Sequence, residues 1–368
     1  MLQKALVLVW VVASIALCMG CGSTANHHIF ATTPASNQIA VYREDPNSGV
    51  LTQVSGSPFA AGDGPTSLVL HPSGKFLYVS NAAQNENDIS LFTIDTTGIP
   101  TEVFPRTSVA PNASQPQLLL MDPGGSFLYV MNSLSNNISV FSIDSTKGTL
   151  APVAKSPFTL GLSPLNMKLT PSGKFLYVTS ASGTNQLSGL IEGFSVTSGA
   201  LQPLGTAPTP TGGINPNAIA IDPSGAHLYV ANSGSQSIAI FTIDSSGGLT
   251  AVQGSPINDN FTVPIAMVFD PSGNFIYVAH QASNNIAAYS IGSTGLPTIL
   301  STSTTTGVFA TEASPNFLAA DPNGKYLFVG NQGTSAGIQV FSLSDGTLTT
   351  LTTYGVGNTP SSIAVSSH

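Results

Sequence analysis

DPSGAHLYVAN, running from Asp222 to Asn232, is the stretch that decides the fold. Pro223 presets φ and Gly225 accepts positive φ, so Pro-Ser-Gly predicts a tight turn. The apolar and aromatic run after it has the composition of a buried strand. The same phrase returns as HPSGKFLYVSN from His71, DPGGSFLYVMN from Asp122, TPSGKFLYVTS from Thr170, DPSGNFIYVAH from Asp270 and DPNGKYLFVGN from Asp321. The prolines Pro72, Pro123, Pro171, Pro223, Pro271 and Pro322 lie 51, 48, 52, 48 and 51 residues apart. A repeat of this length means stacked supersecondary units that bury their faces against one another.

The flanks of the phrase are as regular as its centre. Another proline stands seven residues earlier in each unit: Pro65, Pro116, Pro164, Pro216, Pro264 and Pro315. A short apolar run joins the two prolines. After the aromatic run come a polar loop and an alternating segment, such as ISLFTID from Ile89 or IAIFTID from Ile238, then a Gly-containing turn and a last short strand. Each unit therefore reads as four strands, A to D, in a meander. The segment from Ile29 supplies B, C and D strands with no A strand before them, and Pro360 to Val365 matches an A strand with nothing after it. The two ends complete one unit. The expectation is an all-β, seven-bladed β-propeller of four-stranded blades, closed by the C-terminal strand and occupying residues 29–368. An open β-solenoid would need shorter repeats and no complementary ends.

The proline-to-proline register aligns the A strands without gaps. Positions three and five after the first proline are large and apolar, as in Leu68/Leu70 and Ile219/Ile221, and are expected to pack between blades. Positions two and four are mostly smaller and face the axis, and Lys168 alone brings a charge into that set. The position after the proline falls at the channel mouth. It holds Thr66, Gln117, Leu165, Asn217, Ile265, Asn316 and Ser361, a ring without charge. Thr66, Gln117, Asn166, Asn217, Asn316 and Ser361 are the expected ligand contacts. Lys168 is a candidate anion contact, although a lysine in such a place also packs its stem and lets its ammonium reach water. Asn81, Asn132, Asn232, Asn331 and His280 end the B strands, where Asn is more often a turn former than a ligand contact.

Composition narrows the function. Only 7% of the residues are charged, 9 basic and 17 acidic, for a net charge of −8. With Arg43 and Arg106 as the only arginines, no cluster exists to neutralise phosphates, so nucleic acid is excluded as a partner. There is no nucleophile elbow, phosphate-binding loop, HExxH or Asp-x-Asp-x-Asp loop, so neither cofactor nor metal is expected. Residues 1–21, MLQKALVLVWVVASIALCMGC, have a basic start at Lys4 and a 13-residue apolar run from Ala5, short for a membrane span. Gly20-Cys21-Gly22-Ser23 has the form of a bacterial lipoprotein cleavage site, with the lipid on Cys21. Removal of the leader takes Cys18 with it and leaves no disulfide. Residues 22–28 are expected to be a tether, and the protein an exported, lipid-anchored monomer of the cell envelope.

PSGKFLYVSN, DPSGAHLYVAN and DPNGKYLFVGN, with their period and count, resemble the lactonase-type seven-bladed propellers. These include propeller 6-phosphogluconolactonases and muconate-lactonizing enzymes and shade into the YVTN-type surface repeats. The resemblance implies lactone chemistry at the channel mouth, where those enzymes carry His and Arg before the A strand. The matching phrases here are Pro116-Gln117-Leu118-Leu119 and Pro216-Asn217-Ala218, with neither. A neutral amide stabilises a developing oxyanion less than a cation does. The sequence therefore points to a binding scaffold for a glycan, a peptide or another envelope protein. The alternative is a lactonase on a neutral or sugar lactone. For it the catalytic candidates are Lys168, His280 and Glu312, with His280 paired to Glu312 or Asp259 as acid and base.

Overall fold

The computed structural model describes residues 27–83, 86–109, 111–181, 188–303, 305–334 and 336–366. Seven antiparallel sheets stand in sequence around an axis, each with its A strand innermost. Blade 5 is representative. Its A strand Pro216–Ile221 pairs with B at His227–Asn232, then C at Ser237–Ile243 and D at Leu249–Ala251. In blade 1 the inner strand is Ser362–Val365, paired antiparallel with His28–Thr33, so the C-terminal strand closes the ring. The His28 amide donates to Ser366 Oγ at 2.7 Å and extends that seam.

The last two residues of the expected tether, residues 22–28, lie in the fold. His27 is 2% exposed and His28 opens the first strand, so both belong to the folded body. Cys21 and residues 22–26 lie outside the described residues.

Turn chemistry explains the repeated phrase. In Asp222-Pro223-Ser224-Gly225 the Gly225 amide donates to the Asp222 carbonyl at 2.9 Å, and Gly225 has φ of +75°. Asp222 Oδ1 also accepts from the Ala226 amide at 2.9 Å, so the aspartate side chain caps the turn it begins. The strand after the turn is buried on both faces. Tyr78, Tyr129, Tyr177, Tyr229 and Tyr277 are all at most 1% exposed. Tyr78, Tyr177 and Tyr229 donate their hydroxyls to the carbonyls of Gly148, Gly247 and Gly295 in the next blade. The tyrosine of the repeat thus buries a large ring and ties neighbouring blades together.

The outer strand departs from a simple meander. In blades 1, 3, 4, 5 and 6 it breaks into two pieces that pair with the same C strand, as Leu51–Gln53 and Phe59–Ala60 do in blade 1. In three of these blades a Ser-Pro pair sits at the break, and the serine hydroxyl replaces the lost ladder partner. Ser57, Ser156 and Ser255 accept from the amides of Val41, Val140 and Ile240 at 2.7–2.9 Å.

Candidate functional site

The A strands converge on the axis, and in six of the seven blades a bulge re-aims the strand at its mouth end. Pro65 pairs with Asn81 and Ser67 with Ser80, leaving Thr66 between them unpaired. The same shift isolates Gln117, Leu165, Asn217, Ile265 and Asn316. Bulges of this kind turn a side chain out of the sheet. Six members of the ring read from the sequence thus share the bulge position, and most of the ring's polar groups hold the protein together. Thr66 Oγ1 donates to the Pro116 carbonyl at 2.7 Å, and Asn166 Nδ2 to the Asn217 carbonyl at 2.8 Å. Asn316 Nδ2 donates to the Pro360 carbonyl at 3.0 Å, and Ser361 Oγ to the Pro65 carbonyl at 3.2 Å. Each of these bonds runs from one blade to the next. Asn217 instead bonds Ser233 within its own blade at 2.8 Å, and Gln117 is exposed.

Inside the mouth lies a cavity of about 230 Å³, bordered by Leu118, Leu120, Asn166, Lys168, Phe317 and Ser362 among others. Its wall is mostly apolar. Lys168 is the one charged side chain lining it among the described residues, and its Nζ has no carboxylate within salt-bridge distance. The side chain is exposed to the lumen, and the blades packed around the channel desolvate its ammonium. That desolvation holds the ammonium below the ordinary lysine range.

The other candidates are elsewhere. His280 is fully buried within blade 6, where its Nε2 lies 2.6 Å from Asp259 Oδ2 and its Nδ1 2.9 Å from Asn285 Oδ1. Asp259 also accepts the Tyr289 hydroxyl, and Phe261 packs on the imidazole with ring centroids 4.9 Å apart. Of the two carboxylates weighed as its partner, Asp259 takes the place and Glu312 does not. The pair is sealed from a ligand, since neither side chain has accessible surface. Glu312 is half-buried, its backbone amide held by Gln339 Oε1 at 2.9 Å. Neither His280 nor Glu312 borders the cavity that holds Lys168. The B-strand asparagines share the fate of His280: Asn81, Asn132, Asn232 and Asn331 are buried, and the first three bond side chains of their own C strand. Arg106 pairs with Glu102 and Glu86 at the outer edge of blade 2, far in sequence and strand order from the axis.

The sequence reading missed one group. His27, Glu44 and Asp321 meet in the interior, with ligand-type atoms all within 4.8 Å of one another. They come from opposite ends of the chain, so no local spacing signalled them.

A family model described as "Lactonase, 7-bladed beta-propeller" matches residues 23–212 and 166–309. A protein of Formosa agariphila named 6-phosphogluconolactonase is 34% identical over 98 residues, 27% of this chain and 27% of its own length. One of Klebsiella pneumoniae with the same name is 25% identical over 247 residues, covering 63% of this chain and 69% of the relative. Among solved structures, a Bacteroides fragilis protein superposes with a TM-score of 0.77 at 21% identity, covering 94% of this chain and 99% of that one.

Proposed function

The chain belongs to the lactonase family of seven-bladed β-propellers, and from that membership we propose that it hydrolyses an uncharged lactone in the central channel with Lys168 as acid and base. The observation that carries this reading is the unpaired lysine in an apolar cavity, its pKa lowered by desolvation. Desolvation favours the free amine, the form that acts as a base. Its free amine takes a proton from water as the oxygen attacks the lactone carbonyl. The tetrahedral adduct then collapses, the ring C–O bond breaks, and the ammonium returns the proton to the departing alkoxide. The product is an open-chain hydroxy acid, and the lysine ends as it began. With Lys168 as the one ionisable side chain of the lining among the described residues, and needed there as the free amine, the cavity suits a neutral substrate better than a phosphorylated one, whose phosphate carries close to two negative charges.

Lactones with and without phosphate, followed by pH-stat against the full chain, test this. Turnover of a neutral lactone that disappears in Lys168→Met supports it. Turnover unchanged in that variant, or none on any lactone, overturns it.

One observation favours a second reading. No histidine or carboxylate borders the cavity among the described residues, and four of the six expected ligand contacts are committed to bonds between blades. On this reading the propeller is a binding scaffold for a glycan, peptide or envelope protein, and retention of such a ligand without lactone turnover would favour it. In either case the protein is proposed to be an exported monomer anchored through Cys21. Labelled fatty acid should enter the wild-type chain and not Cys21→Ala.

A further inference from the structure

Blade 1 breaks the repeat twice at one spot. Its C strand Gln38–Glu44 pairs Glu44 with Leu51, and at the equivalent place the other blades carry Ile94, Ile143, Ile243, Ile291 and Leu343. The B strand begins with a second departure. Register places His27 where Lys75, Ser126, Lys174, Asn274 and Lys325 stand at the protein surface in other blades. Glu44 is 1% exposed and His27 is 2% exposed. Both Glu44 carboxylate oxygens lack a hydrogen-bond partner, and His27 Nδ1 meets only a carboxylate, Asp321, at close range. Asp321, from the A–B turn of blade 7 and also 1% exposed, completes the group.

We propose that His27, Glu44 and Asp321 bind a divalent cation of the zinc type, which clamps blade 1 to blade 7 across the seam where the ring closes. His27 Nδ1 lies 3.6 Å from Glu44 Oε2 and 2.9 Å from Asp321 Oδ1. Zinc bonds of about 2.0–2.2 Å to nitrogen and oxygen put neighbouring tetrahedral ligands roughly 3.4 Å apart, so the cage needs little movement. One imidazole and two carboxylates suit a borderline cation, whereas calcium takes 6–8 oxygens. Asn323 Nδ2 lies 3.1 Å from His27 Nε2. With that amide turned over, its oxygen accepts the Nε2–H proton and leaves the Nδ1 lone pair facing two carboxylates, an arrangement that a cation stabilises. The local cation acts on Glu44 through its field alone, because Lys325 Nζ donates to the Pro46 carbonyl at 3.0 Å.

The test uses the untagged full chain, stripped with EDTA and titrated with Zn2+, with Ca2+ as comparison. The wild type should show a saturable rise of several degrees in Tm with Zn2+ and little with Ca2+. Glu44→Gln and His27→Gln should each bind one equivalent fewer and lose that rise. The difference between chains is the readout, because Cys18 and Cys21 also take zinc. Glu44→Ile restores the residue of the repeat and should fold without any response to metal. Equal binding by wild type and Glu44→Gln, or no response in the wild type, would overturn the proposal.

Discussion

Lys168 stands where the other blades place Val69, Leu120, Ala220, Val268, Ala319 and Ala364. Its depressed pKa has a consequence for stability that is separate from catalysis. Between the folded value and the ordinary 10.5, the unfolded chain binds more protons than the folded one. Stability therefore rises with pH across that window. Compared with Lys168→Met in urea melts at several pH values, the wild type should gain ground as pH climbs toward 10.5, and a constant difference would refute the lysine's desolvation. His280 shows the reverse case, a titratable residue made inert by its surroundings. Truncation to alanine leaves Asp259 buried beside a cavity, a loss of about 3–5 kcal/mol for a broken buried pair. A urea midpoint that hardly moves would show that the pair is dispensable. Both residues were visible as chemistry in the sequence. Which of them meets the lumen depended on strand register, since His280 pairs across from Pro264 inside its sheet.

At the scale of elements, the A–B turn and the B strand were legible because their signals are local. Proline and glycine at fixed offsets set the turn, and an apolar run in a sheet covered on both faces sets the strand. The broken D strand was not. Ser-Pro reads as ordinary turn punctuation, and the role of the serine appears only when Val140, sixteen residues earlier, is alongside it. Ser156→Ala should cost about 1–3 kcal/mol, because the buried Val140 amide loses its acceptor. Ser142→Ala, on an exposed hydroxyl of the same strand, is the control and should stay within ~0.5 kcal/mol. The mouth ring carries the same lesson. Its composition was plain, but the bulge that lets Thr66 and Asn316 reach the neighbouring blade is a property of paired strands.

At the scale of the whole molecule, the ring is closed by one short strand. Ser362–Val365 covers Ile29, Phe30 and Ala31, and Ile363 joins an apolar cluster with Tyr326, Phe328 and Val340 of blade 7. A chain ending at Thr359 should expose the edge of His28–Thr33 and associate on size exclusion, as unprotected edges do. A monomer with an unchanged melting profile would show that closure contributes nothing. Sequence alone determined the blade count, the blade turns and the pairing of the two ends, because each rests on a phrase written several times over in neighbouring residues. Tertiary structure alone decided which polar side chains are free. Hydrogen bonds between blades occupy Thr66, Asn166, Asn316 and Ser361, burial silences His280, and Lys168 is left as the charge facing the lumen. It also brought His27 and Glu44 against Asp321 from nearly three hundred residues away, a meeting that depends on ring closure and that no local pattern encodes.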